Sequence, residues 1–484
     1  VEASVSTNVP KRSSALPALG CGGISGLMLF ASDYPLHLWP LMAVAFLPLL
    51  VVLVRFQPGW AGTVFAGIGL ALGYVVPLIF QLDFPVLLSV FFAAYYTVFW
   101  VLFALLARMI WRRPGGFAAL ATGALAGLVD WATYSLVPIW GTGQSMGKVL
   151  ADCPWGVGFV SFTGLSGILA VLVALQALLV LVIFSKRHRM PSLALLAVVL
   201  AVVLGTNVWV ASPAPVGSVR VAALTFLQPE SDEGEPLPAM QNMDTHIRPM
   251  VADAAKRGAR VVATPEFSLR AGAEDRDEVI NALSELARLH DIWLFAGFFD
   301  KVDDKNRILF INPRGDIEAV YEKVHLIYQL EFYNPGDGTL ARVDVDGVTW
   351  GGVICQDDNF GDITSAYARA GVQLMVVPTY DWAEVKDYHF ESSRFRSVEY
   401  RYGILRSAMD GISAIVAPGG RVVASHDVFK DGEGVLVGDL PVPGMEHVRA
   451  RWHRWFPLLC GLILLAGLFL GRRWGTRRGT GGLT

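Results

Sequence analysis

Long apolar stretches separated by short polar breaks fill the first 210 residues. They run over about 14–32, 36–54, 59–80, 85–107, 116–138, 157–185 and 190–210. Each is close to the ~20 residues that an α-helix needs to cross a hydrocarbon core. A transmembrane bundle of about seven helices is therefore predicted over 14–210, and a final crossing over 455–471. Between 218 and 445 the pattern changes. Short apolar or alternating runs at 219–226, 259–263, 292–299, 308–313, 317–323, 348–354, 372–378, 403–408, 412–417, 420–425 and 434–438 read as strands. Helical periodicity at 240–256, 276–290, 363–370 and 388–401 separates them. Short helices among paired strands predict a layered α/β domain. The Ala/Pro/Gly-containing stretch 211–217 reads as the linker into it.

The polar breaks alternate in charge. Lys11 and Arg12 precede the first apolar stretch, and Asp33 follows it. Then come Arg55, Asp83, the group Arg108, Arg112 and Arg113, a loop with Lys148 against Asp152, and the group Lys186, Arg187 and Arg189. Excess Lys and Arg mark the cytoplasmic side. This puts 1–13 inside, 218–445 outside, and the tail 472–484, with Arg472 and Arg473, back inside. Arg449, Arg451 and Arg454 flank the last stretch on its other side, suited to anionic headgroups. The first apolar run lies mostly after Cys21, which reads as a retained helix rather than a cleaved leader.

Composition agrees. Hydrophobic residues make up 54% and charged residues 17%, against about 25% charged in soluble chains. A net charge of −3 and the lack of a basic run argue against nucleic acid. The four cysteines have no close pair and the nine histidines no ligand spacing, so neither a disulfide framework nor a metal is expected. No phosphate-cradling glycine loop is present, and no cofactor is expected.

The candidate chemistry sits at strand ends. The run 348–354 delivers Cys355, followed by Gln356, Asp357, Asp358 and Asn359. Most free cysteines are inert small hydrophobes, but a thiol at a strand tip is held rigidly where substrate can reach it. Glu266 ends another run at a Thr264-Pro265 corner, and the run 319–326 presents Lys323 near its end. Taken singly, Glu266 and Lys323 read as ordinary surface charges. If their strands are neighbours, an acid, an amine and a thiol converge. His325 and His389 are alternative bases, each more commonly a surface or satisfied core histidine.

The segments Pro265-Glu266, Tyr321 to Leu326 and Gly352 to Cys355 resemble the Glu–Lys–Cys signature of the nitrilase superfamily. The membrane setting is similar to that of the bacterial apolipoprotein N-acyltransferases, its membrane-embedded branch. Asp130-Trp131, Pro154-Trp155 and the strand region from Ser407 to Ser413 resemble further family segments. Departures flank the site: Gln356-Asp357 follows the cysteine where the family commonly has Tyr-Glu, its Asn-Asp-x-Trp survives only as Tyr380-Asp381-Trp382, and the loop 327–333 is atypical.

The resemblance implies a multi-pass α-helical membrane bundle plus an extracytoplasmic α/β nitrilase-like domain, an α-β-β-α sandwich. It implies an acyltransferase of the bacterial cytoplasmic (inner) membrane, acting as a monomer. Cys355 would be the nucleophile, Glu266 the base and Lys323 the oxyanion donor. Glu331 would support the site as a second glutamate, Asp357 would assist, and Phe332, Tyr333 and Trp382 would wall an apolar pocket. The partners implied are a phospholipid acyl donor and a diacylated lipoprotein acceptor. The alternatives are a membrane-anchored nitrilase-type amidase or hydrolase, a related acyltransferase with another amine acceptor, and a non-catalytic scaffold.

Overall fold

The computed structural model describes residues 15–33, 35–82, 85–229, 236–445 and 453–472. The expectations for 1–13, Asp83, Arg449, Arg451 and the tail beyond 472 lie outside the described residues. The chain divides into two compact units, one of residues 1–133, 169–200 and 457–484, the other of 134–168 and 201–456.

Among the described residues, seven helical segments are long and apolar enough to cross a membrane: Ala15–Ser32, Trp39–Phe56, Trp60–Leu82, Val86–Ile110, Gly116–Ser135, Gly167–Phe184 and Arg189–Ala211. Phe456–Leu470 is a shorter apolar helix. This is a membrane protein. Two segments differ from the sequence expectation. Trp39–Phe56 is broken into a 3-10 turn, a short α-helix and a π turn. At membrane depth its freed backbone groups need internal partners. The Gln176 amide accepts from Phe46 N at 2.8 Å and donates to Met42 O at 3.0 Å, while Ser25 Oγ accepts from Leu49 N at 3.1 Å. The stretch expected as one helix over 157–185 is instead a short helix, Val160–Thr163, a turn at Gly164, and the helix Gly167–Phe184.

The second unit is an α-β-β-α sandwich. Its strands are β1 (Gly217–Thr225), β2 (Val261–Ala263), β3 (Leu269–Ala271), β4 (Trp293–Asp300), β5 (Lys305–Ile311), β6 (Ile317–Glu322), β7 (Arg342–Val345), β8 (Val348–Gly352), β9 (Leu374–Tyr380), β10 (Gly403–Met409), β11 (Ile412–Val416), β12 (Val422–Asp427) and β13 (Gly434–Val442). One sheet has the order β13-β1-β2-β4-β5-β6, with β3 pairing β4; the other runs β12-β11-β10-β9-β8-β7.

Period-2 alternation explains the layering. On β1, β4 and β5 the residues Val221, Ala223, Phe295, Ile308 and Phe310 enter the core between the sheets. Their neighbours Ala222, Leu224, Leu294, Ala296 and Leu309 enter a second core under the helices Arg248–Lys256 and Arg276–His290. Helix Lys386–Tyr400 covers β10 and β11 on the outside of the other sheet.

Residues 134–168, read from sequence as bundle and loop, pack on this domain. Gln356 Nε2 donates to Ile139 O at 2.8 Å, Thr142 Oγ1 to Asn359 O at 2.9 Å and Ser161 Oγ to Val398 O at 3.0 Å. Lys148, counted above as a loop charge, is buried in an ion pair with Glu391 at 2.7 Å and lies 3.4 Å over the Tyr388 ring. Gly141, at φ +48°, lets the segment turn against the Asn359 carbonyl, where a Cβ would collide.

Candidate active site

Three loops leaving the sheets build the site. The first follows β2. Thr264 Oγ1 accepts from Gly297 N at 2.9 Å, and Ser268 Oγ donates to Gly297 O at 2.8 Å, so both hydroxyls tie the corner to β4. Gly297 is required here, because a Cβ would overlap the Pro265 carbonyl. The corner thereby turns Glu266 inward, to 1% exposure. The second loop follows β6, where Lys323 N still bonds Asn306 O at 2.9 Å and its side chain is buried. The third follows β8. Cys355 begins a 3-10 turn with φ +48°, a left-handed conformation costing on the order of 1–3 kcal/mol. Such strain persists where surrounding packing over-determines it.

The three side chains meet. Lys323 Nζ donates to Glu266 Oε1 at 2.8 Å and to Glu331 Oε1 at 2.7 Å. Glu266 also accepts from Asn306 Nδ2 at 2.8 Å and, through Oε2, from Tyr380 N at 2.8 Å. The buried Cys355 thiol lies beside Glu266, close enough to influence its titration, and 3.8 Å from Tyr380 O. Burial, reinforced by the Glu266 charge, pushes the thiol well above its ordinary pKa, with Lys323 pulling the other way. Burial and the Glu331 charge also raise Glu266, against Lys323. Burial works against the Lys323 ammonium, yet Glu266, the thiol and Glu331 hold its pKa well above the usual value. The site thus sets a thiol beside a carboxyl group and a lysine amine, the three groups that base-assisted thiol attack needs.

The supporting residues separate into different places. Glu331 accepts from Ile327 N at 2.7 Å through its second oxygen, tying the 327–333 loop to Lys323. Asp357 lines neither cavity described below. It accepts from Tyr321 Oη at 2.8 Å, His325 N at 2.7 Å and Val324 N at 3.2 Å, and its carboxylate meets His325 Nδ1 at 2.9 Å. It is a clamp on the segment carrying Lys323. Burial opposes charge on His325, but its bonds to Asp357 and Asp362 raise it to about 9. Its ring stacks on Phe360 with centroids 3.8 Å apart, in an ion-paired cluster.

His389 is nearer the thiol. Its ring lines the Cys355 cleft, Nδ1 pairs with Asp381 Oδ1 at 2.7 Å, and Nε2 has no hydrogen-bond partner among the described residues. Asp381 also accepts from Arg406 at 2.6 Å, and Arg406 bonds Ser393 at 2.8 Å. Cys355, Asp381 and His389 offer ligand atoms within 4.8 Å of one another. Both Asp381 oxygens are already engaged, one by His389 Nδ1 and the other by Arg406, so this carboxylate is matched without a metal. Sequence reasoning missed Asn306, Asp381 as an ion-pair centre and Arg406. The one available signal was Arg406 itself, a charge inside the apolar run 403–408.

Two adjoining cavities reach the site and share Ile327, Tyr380, Asp381 and Trp382. The smaller, with about 30 Å³ of free volume, touches Cys355 and is walled by Trp140 and Tyr388. The larger, about 460 Å³, runs along Glu266 and Glu331 and is walled by Phe267, Phe299, Leu330, Phe332, Tyr333 and Trp382.

Residues 224–450 match the carbon-nitrogen hydrolase family, and the fold of that region is nitrilase-like. The chain is similar to apolipoprotein N-acyltransferases. Apolipoprotein N-acyltransferase 2 of Treponema denticola is 25% identical over 207 residues, 36% of this chain and 39% of that protein. Apolipoprotein N-acyltransferase 1 of Treponema pallidum is 32% identical over 201 residues, 36% of each chain. Omega-amidase NIT2 of Homo sapiens is 26% identical over 234 residues, 42% of this chain and 83% of that protein. An amidase structure from Nesterenkonia sp. is 23% identical with a TM-score of 0.43, covering 50% of this chain and 98% of that one. The matched stretches span well under half the length of the N-acyltransferase relatives.

Proposed function

We propose that the protein is an apolipoprotein N-acyltransferase, moving an acyl chain from a phospholipid through a Cys355 thioester to the N-terminal amine of a diacylglyceryl-cysteine lipoprotein. The observation that carries this is the buried cluster of Glu266, Lys323 and Cys355 in a chain that also has, among the described residues, seven helical segments of membrane-crossing length. In the first half-reaction Glu266 takes the thiol proton as sulfur bonds to the ester carbonyl carbon. Lys323, with the backbone N–H after Cys355, stabilises the oxyanion. The carbon–oxygen ester bond breaks, and Glu266 returns the proton to the departing lysophospholipid alkoxide. In the second, the free amine attacks the thioester, Glu266 takes its proton, the carbon–sulfur bond breaks, and the thiolate recovers that proton. A narrow apolar cleft at the sulfur favours survival of the thioester by excluding water.

In this reading 14–210 and 455–471 are transmembrane, 211–217 is a linker, and 218–445 is catalytic on the outer face of a bacterial cytoplasmic membrane. The working unit is a monomer. The test is to incubate purified protein with labelled phospholipid, look for acyl-Cys355, then add a diacylated lipopeptide. Transfer to the peptide is expected. Release only as free fatty acid would make the protein a hydrolase, and no adduct would refute the thioester altogether.

A further inference from the structure

The larger groove carries more positive charge than its carboxylates use. Its acidic residues are all matched: Glu266 and Glu331 pair with Lys323, and Asp381 pairs with Arg406 and His389. Two cations remain, Arg270 and Lys301. Strand pairing sets them together. Arg270 of β3 lies opposite Phe299 of β4, and Lys301, just past the end of β4, lines the same groove. The Arg270 guanidinium lies 4.7 Å over the Phe267 ring, beside the Glu266 corner. Among the described residues its side chain has no hydrogen bond or ion pair, nor has that of Lys301. Burial pulls the Arg270 pKa down, with Tyr380, Glu266 and Tyr333 opposing.

A partly desolvated, unpaired guanidinium is costly unless something completes it. Its planar fork, pre-set on an aromatic face, matches two oxygens of a phosphate group. The rest of the wall is aromatic and aliphatic. A ligand with one anionic phosphate and a long apolar part meets both demands.

We propose that Arg270, assisted by Lys301, is the phosphate subsite of the acyl donor, holding the phosphodiester of a glycerophospholipid while its chain lies along Phe299, Phe332 and Trp382. Resting on the acyl-transfer reading, this makes the donor's headgroup phosphate a specificity determinant. Through the shared walls Ile327, Tyr380 and Trp382 the ester carbonyl reaches the Cys355 cleft.

The test separates binding from chemistry by using full-length Cys355→Ala protein. Short-chain phosphatidylglycerol, the matching diacylglycerol and inorganic phosphate are the probes, each titrated with and without Arg270→Gln. Arg270→Gln should weaken phosphatidylglycerol about tenfold to a hundredfold and leave diacylglycerol unchanged. Arg270→Lys should recover part of the loss, and Lys301→Met should weaken binding by a few fold. Equal loss for both lipids would mean a structural role and overturn the subsite, as would unchanged phosphatidylglycerol binding. Inorganic phosphate binding as tightly as the lipid would overturn the headgroup assignment in favour of a soluble phosphate. Acyl loading in the Cys355 background is read separately. Absent loading with intact Arg270-dependent binding would refute the acyl-transfer reading and leave the subsite standing.

Discussion

Lys323→Met deletes a buried cation shared by the buried Glu266 and the partly buried Glu331 while keeping much of the side-chain volume. In the native site Nζ lies 2.8 Å from Glu266 and 2.7 Å from Glu331, with side-chain exposures of 0% for Lys323, 1% for Glu266 and 11% for Glu331. Removing one partner of a buried pair costs about 3–5 kcal/mol, because the other charge stays behind. At about 2–4 °C per kcal/mol for a domain of this size, the apparent Tm should fall on the order of 10 °C near neutral pH. The stranded carboxylates relieve part of that cost by binding protons, so their pKa values in the folded variant rise. A folded pKa above the unfolded one gives stability that is present at low pH and lost as pH rises through the folded value. The deficit should therefore be largest at alkaline pH and shrink as the pH is lowered towards the ordinary carboxylate range. Adding Glu266→Gln should recover part of the stability and none of the activity. Loading of Cys355 should fall about 10²–10³-fold through loss of the oxyanion donor. The assay is thermal unfolding of full-length protein in detergent across pH, followed by tryptophan fluorescence, with intact-mass measurement of the acyl adduct. A variant as stable as wild type above neutral pH, or a deficit that grows on acidification, would refute this account of the site.

Cys355→Ala should fold normally and form no adduct in intact-mass spectra; a residual adduct would remove the nucleophile assignment. Glu266→Gln should cut loading by about 10²–10⁴-fold while His389→Gln has a much smaller effect; the reverse ranking in single-turnover loading would transfer the base role to His389. Glu331→Gln removes a negative charge that raises Glu266, so the acid limb of the loading rate should move to lower pH, as a pH profile would show. Asp357→Asn should slow loading although Asp357 lines neither cavity. It should also drop the His325 pKa from about 9 towards the ordinary value, readable by imidazole NMR titration.

Much of the domain's layering was legible because its cause is local. The alternation in 219–226, 292–299 and 308–313 reports two covered faces, and the apolar lengths before 211 report the hydrocarbon thickness. The candidate nucleophile, acid and amine were legible as polar side chains ending apolar runs. The helix boundary at Gly167 was not, since apolar composition continues across the turn at Gly164 and hydropathy does not register a change of backbone direction. Nor was the docking of 134–168, because Lys148 looks like any loop lysine until its partner Glu391, distant in sequence, is beside it.

What the sequence determined by itself was the division into apolar bundle and layered domain, along with the residue types available for chemistry. Only the tertiary structure decided how those residues act: that Lys323 is shared between two carboxylates, that Asp357 clamps a loop instead of facing the thiol, that His389 lies at the cleft, and that Arg270 lies on the Phe267 ring with no ion pair among the described residues. Periodicity is a property of neighbours along the chain, whereas charge pairing and burial depend on which distant segments the sheets bring within a few ångströms.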